Sequence, residues 1–120
     1  MTKDNLKRLV EELAREYTDA VRLEEGNKTL IRLPSVYFPD GCVPSNTTAL
    51  VILDEQQPAP QLFLKDLPTL PNNKTPRSVN TATFAGDPWH GFSFSQPWDE
   101  HSNSAVQFVE GRLRRFALSE

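Results

Sequence analysis

Thr47 to Asp54 is the stretch that most limits what this chain can fold into. Its centre, Ala49-Leu50-Val51-Ile52-Leu53, is apolar without a break. Successive side chains of a strand point to opposite faces, so a strand of this composition must be covered on both. A chain of 120 residues supports one domain around one core. This strand belongs at its centre.

The neighbouring segments supply its partners. Ala20 to Glu24 and Thr29 to Leu33 are short and rich in Val, Ile, Leu or Thr. Glu25-Gly26-Asn27 between them is turn chemistry, so the pair reads as a hairpin. Pro34 is expected to end its second strand, and Ser35 to Asn46 to form a loop. Beyond a turn at Gln56 to Pro60, Gln61 to Lys65 reads as a fourth strand.

Helices are expected at both ends. Leu6, Leu9, Val10, Leu13 and Tyr17 recur at three- and four-residue steps, which predicts an amphipathic helix from Asp4 to Tyr17. Asp4 or Thr2 caps it, and Lys7 with Glu11 supplies a charge pair on its outer face. Val106, Val109, Leu113 and Phe116 form the stripe of a second helix over Asn103 to Leu118, capped by Asp99 or Ser102. Arg112, Arg114 and Arg115 suit the negative end of its dipole. The order is helix, four-stranded antiparallel meander, long irregular segment, helix. This is α+β, a single domain over residues 1–120, with the helices on one face of the sheet.

Asp66 to Asp99 shows no strong period. So long a structureless run is uncommon in a compact domain unless it is functional. Within it, Gly86 to Asp99 holds both tryptophans, Trp89 and Trp98, with His90, Phe92, Ser93, Phe94 and Ser95. Its Gly and Pro content argues against a long helix, and its aromatic content argues against a solvated linker. Large apolar anchors beside polar groups on irregular backbone mark a place for binding or chemistry.

The totals exclude other classes. Apolar residues make up 38% and charged residues 24%, which fits globular folding, and the formal net charge is −3. There is no Lys/Arg run to track phosphates, so nucleic acid is not implied. No apolar run is long enough for a transmembrane helix, and the charged N-terminus lacks a signal peptide's apolar region. Cys42 is the lone cysteine. It excludes an intrachain disulfide framework and fits a reducing, cytoplasmic setting. Asp87, His90, Asp99, Glu100 and His101 are crowded, but their spacing matches no metal-ligand pattern. Neither a metal nor another cofactor is expected.

The order of elements is also that of the ubiquitin-conjugating (UBC) fold, and local motifs extend the comparison. Gln57-Pro58-Ala59-Pro60-Gln61-Leu62-Phe63 resembles the proline-rich turn that feeds that fold's fourth strand. Leu33-Pro34, Tyr37 and Pro39-Asp40-Gly41-Cys42 look like the segment between the second and third strands in a prokaryotic branch of the superfamily. Trp89, Phe92, Ser93 and Trp98-Asp99 are similar to that branch's Trp-x-x-Phe-Ser-x-His signature and the Trp beyond it. The resemblance covers Leu30 to the C-terminus. It implies a bacterial pathway with a ubiquitin-like protein and an activating enzyme as partners.

The departures bear on chemistry. A conjugating enzyme accepts the C-terminal acyl group of the ubiquitin-like protein on its own nucleophile and passes it to an amine. In the usual members His-Pro-Asn follows the fourth strand and a catalytic cysteine lies shortly beyond. Here Leu70-Pro71-Asn72 stands in that place, and the cysteine position falls near Asn80 or Thr81. Ser95 replaces the branch's histidine. Ser93 then becomes the candidate acyl carrier through an oxyester, with His90 or His101 as the general base an alcohol needs. Asn72 is the candidate oxyanion donor, or simply a turn residue. Trp89 and Trp98 read as anchors whose indole N–H groups need partners if buried, and Asp87 and Asp99 as turn and cap residues. Without a cysteine, a second reading stands beside the first: an inactive UBC-like module that binds the ubiquitin-like protein or its activating enzyme.

Overall fold

The apolar strand forms as expected, as β3 (Asn46–Asp54), and it is covered on both faces. The computed structural model describes residues 1–57, 59–73, 79–92 and 104–118, with residues 72, 92 and 115–118 in the backbone alone. The other strands are β1 (Val21–Glu25), β2 (Lys28–Tyr37), β4 (Gln61–Leu64), β5 (Val79–Phe84) and β6 (Asp87–Phe92). They form one antiparallel sheet in the order β1-β2-β3-β4-β6-β5. Helices α1 (Lys3–Glu16) and α2 (Ala105–Leu118) complete the α+β fold.

Alternation along β3 divides the interior in two. Ala49, Val51 and Leu53 face the helices and pack with Leu9 and Leu13 of α1 and with Ala105, Phe108, Val109 and Leu113 of α2. Leu50 and Ile52 face the other way and join Leu30, Phe63, Phe84 and Trp89. Both helices thus lie on one face of the sheet, as the sequence implies.

Thr2 caps α1, its hydroxyl accepting from the Asn5 N–H at 3.2 Å. The i,i+4 pair on this helix is Arg8–Glu12 at 2.9 Å, rather than Lys7 with Glu11. The second carboxylate oxygen of Glu12 accepts the N–H of Ala105, the first residue of α2, at 2.8 Å. An anion at a helix N-terminus satisfies an orphan donor and opposes the positive end of the dipole. Ser104 completes the cap, its Oγ accepting from Val106 at 3.2 Å and Gln107 at 3.4 Å. The helix starts after Ser104; Asp99 and Ser102, expected as caps, lie outside the described residues.

The main correction concerns residues 66–99. Residues 79–92 within it form two strands, and among the described residues the sheet has six strands rather than four. Asp87, expected as a turn residue, opens β6, and His90 lies within that strand. The hairpin turn is Ala85-Gly86, both at positive φ (52° and 85°), which suits the right-handed twist of a two-residue connection. A second correction concerns Pro34. It lies inside β2, where the register shifts between Leu33 and Val36, and an irregularity of that kind is where a strand tolerates proline.

The β5–β6 hairpin forms the second cover of β3. Its β6 strand pairs with β4 only at Phe63↔Gly91 and Leu64↔His90. Past that point it crosses the sheet, so that Phe84 and Trp89 pack on Leu30, Leu50 and Ile52. At the tip, the Ala85 N–H donates to Glu25 Oε2 at 2.6 Å, and Lys28 Nζ lies 5.7 Å from the Phe84 ring centroid. The two ends of the sheet therefore meet.

Gly91 makes this crossing possible. A Cβ there would lie 2.6 Å from Phe63 Cε1 and 2.7 Å from Asn80 Oδ1. Without it, the Phe63 ring meets Phe84 edge to face at 4.9 Å. Gly91→Ala is expected to destabilise the fold by about 1–3 kcal/mol through overpacking, read as a lower urea midpoint. Tyr17 gives a second prediction. Its phenol pKa is pushed up by burial, then by the carboxylates of Glu110 and Glu16. A raised folded pKa makes its stability contribution complete below the ordinary phenol value and lost as pH rises through the folded value. Tyr17→Phe should therefore flatten the fall in urea midpoint above about pH 10.

Candidate functional site

The hairpin that covers β3 also encloses a cleft. Next to its short pairing with β4, β6 borders a space of ≈ 400 Å³. Leu50, Leu23 and Trp89 form apolar walls, with Pro88 and Ala85 at the hairpin end. Arg32 and Lys65 bring positive charge, and Asp66 and Asp87 bring negative charge.

The strand pattern explains why these residues meet. Arg32 is opposite Leu50 on β3 and opposite Val21 on β1, so it shares the face of Leu30 and Trp89. Lys65 follows Leu64, which faces the helices, and alternation turns it toward the cleft. Asp66 is held by Thr47, whose hydroxyl donates to Oδ2 at 3.4 Å while accepting the Asp66 N–H at 3.2 Å. No ion pair joins Arg32 or Lys65 to a carboxylate among the described residues.

Trp89 acts as an anchor, as its sequence context suggests. It is 5% exposed, and its Nε1–H donates to the Phe84 carbonyl at 3.3 Å, so the buried indole is satisfied. His90 follows it and is half-buried, opposite Thr81 on β5 and Leu64 on β4. Alternation directs it to the face away from Trp89, and it does not line the cleft. Asn72 lies in a single 3₁₀ turn, Pro71–Asn73, consistent with its turn chemistry. Ser93, Trp98, Asp99 and His101 lie outside the described residues. Of the proposed catalytic set, only the placement of His90 and the backbone of Asn72 are therefore described.

Cys42 is 5% exposed and packs in the helix-side core with Val36, Phe38 and Leu70. Burial pushes its thiol pKa up, which favours the neutral thiol over the nucleophilic thiolate. Among the described residues, no group of three His, Cys, Asp or Glu side chains is placed to hold a metal ion. No described helix is long and apolar enough to cross a membrane.

The cleft was not foreseen from sequence. One signal pointed to it: alternation assigns Arg32 to the same face as Leu30, and it is flanked by the apolar Ile31 and Leu33. Among the described residues, its lining carries no serine, cysteine or histidine. It combines apolar walls that could take a side chain with charges of both signs at set places. Comparison of the chain with protein-family models, curated proteins and solved structures finds no match.

The buried thiol yields a direct test. In the native protein Cys42 is expected to react with a chromogenic disulfide at pH 8 at least about a hundredfold more slowly than in urea. Equal rates would place the thiol at the surface.

Proposed function

We propose that this chain is a UBC-like component of a bacterial ubiquitin-like protein pathway, and that it binds the ubiquitin-like protein or its activating enzyme without forming a thioester. The observation that carries this reading is the state of Cys42. The one thiol in the chain is packed in the core, and burial pushes its pKa up, so it is poorly placed to carry a thioester. The order of α1 and the first four antiparallel strands agrees with the resemblance in sequence. The cleft of Arg32, Lys65 and Trp89 offers a surface with apolar walls and charges of both signs, which suits recognition. Such a component works in the cytoplasm, where its partners are made.

His90 supports a second reading, acyl transfer through an oxyester on Ser93. Its half-buried imidazole lies in β6, three residues before Ser93 in the sequence. His101 is the other candidate base, and Asn72 the candidate oxyanion donor.

Intact mass measurement separates the two. The protein is incubated with a ubiquitin-like protein encoded beside it, the activating enzyme and ATP, in parallel with Ser93→Ala and Cys42→Ala. The binding reading expects no adduct in any sample and a stable complex on a sizing column. An adduct that withstands thiol reductant and vanishes only in Ser93→Ala establishes the oxyester. An adduct lost only in Cys42→Ala defeats both, and the absence of both adduct and complex removes the pathway assignment.

A further inference from the structure

β1 is an outer strand of the sheet, and among the described residues it pairs with β2 alone. All five of its residues are exposed, including Val21 at 46% and Leu23 at 36%. Such an edge presents unpaired N–H and C=O groups to an incoming strand. We propose that the incoming strand is β1 of a second copy of this chain, paired antiparallel about a twofold axis at Leu23.

The turn decides which backbone groups are free. Gly26 and Asn27 form a two-residue turn, so Glu25 and Lys28 close the hairpin as a hydrogen-bonded pair. Alternation then commits the backbone of Val21, Leu23 and Glu25 to β2. It leaves the N–H and C=O groups of Arg22 and Glu24 pointing out of the sheet. A partner strand must bond to those two residues.

A second copy can meet them in three symmetric registers. Arg22 can face Arg22, Glu24 can face Glu24, or Arg22 can face Glu24 of the other copy. The first two set like charges directly opposite one another, which is destabilising. The third makes two cross-strand ion pairs. It also sets Leu23 against Leu23 at a non-hydrogen-bonded position, where side chains approach most closely, and lays Val21 beside the stem of Glu25. Exposed apolar surface is covered on one face while charge is matched on the other.

Within one copy, Arg22 Nε and Glu24 Oε1 are already 2.9 Å apart, each side chain 56% exposed. In the dimer the two pairs form one array of alternating sign. Charges on an edge normally deter pairing with any strand that drifts past. Here the same charges admit one register and oppose the others. The result is an isologous interface, and its small size makes the dimer concentration-dependent.

Sedimentation equilibrium of the full chain from micromolar to millimolar concentration tests this. The expected result is a shift from monomer to dimer mass. Arg22→Glu should raise the dissociation constant about tenfold or more, since it sets glutamates opposite each other twice. Glu24→Arg should do the same. The charge swap Arg22→Glu with Glu24→Arg should recover the dimer, which a merely damaged fold would not do. Circular dichroism checks that each variant is folded. A chain that stays monomeric overturns the proposal, as does a dimer indifferent to the single reversals or one the swap fails to recover.

Discussion

Burial of β3 between two apolar layers is the constraint that the other elements meet. One layer is made by two helices separated by most of the chain, the other by a hairpin bent over from the far end of the sheet. Each fully buried Leu, Ile or Val contributes about 1.5–3 kcal/mol relative to exposure. β3 carries Leu50, Val51, Ile52 and Leu53 in succession, all nearly inaccessible. Losing either layer would expose alternate members of that run. The contacts that hold the layers in place, Glu12 to Ala105 and Ala85 to Glu25, therefore act on the same strand from opposite sides.

Much of this was legible in the residues. The step pattern of Leu6, Leu9, Val10 and Leu13 gave α1, and the run from Ala49 to Leu53 gave a strand that needs two covers. What that second cover is could not be read, because β5 and β6 hide their period. Val79 to Phe84 places threonines and an asparagine where an apolar face would be seen, and Asp87 to Phe92 contains both Pro88 and Gly91. Their turn lacks the usual signature, since Ala85 takes a left-handed conformation that sequence rules reserve for Gly, Asn or Asp. These residues make sense through tertiary packing. Gly91 is a breaker by propensity, yet it is required here because Phe63 fills the space its side chain would take.

The candidate site divides along the same line. Trp89 was legible as an anchor because a large indole in a polar stretch has few other uses. Arg32, Lys65, Asp66 and Asp87 come from separate segments, and only the fold brings them to one cleft. The cysteine shows the reverse case. Its rarity drew attention in the sequence, whereas its packing beside Val36 and Phe38 gives it a structural role.

The bond from Ala105 to Glu12 spans 93 positions, and it bears on how the protein is made. During synthesis the helix-side face of the sheet is only half roofed when β6 emerges, since α1 is present and α2 is still inside the ribosome. Ala49, Val51 and Leu53 stay partly bare for that interval, and the carboxylate of Glu12 has no amide to receive. Contacts so distant in sequence close late and slowly. The nascent chain is thus most vulnerable to aggregation just before α2 appears.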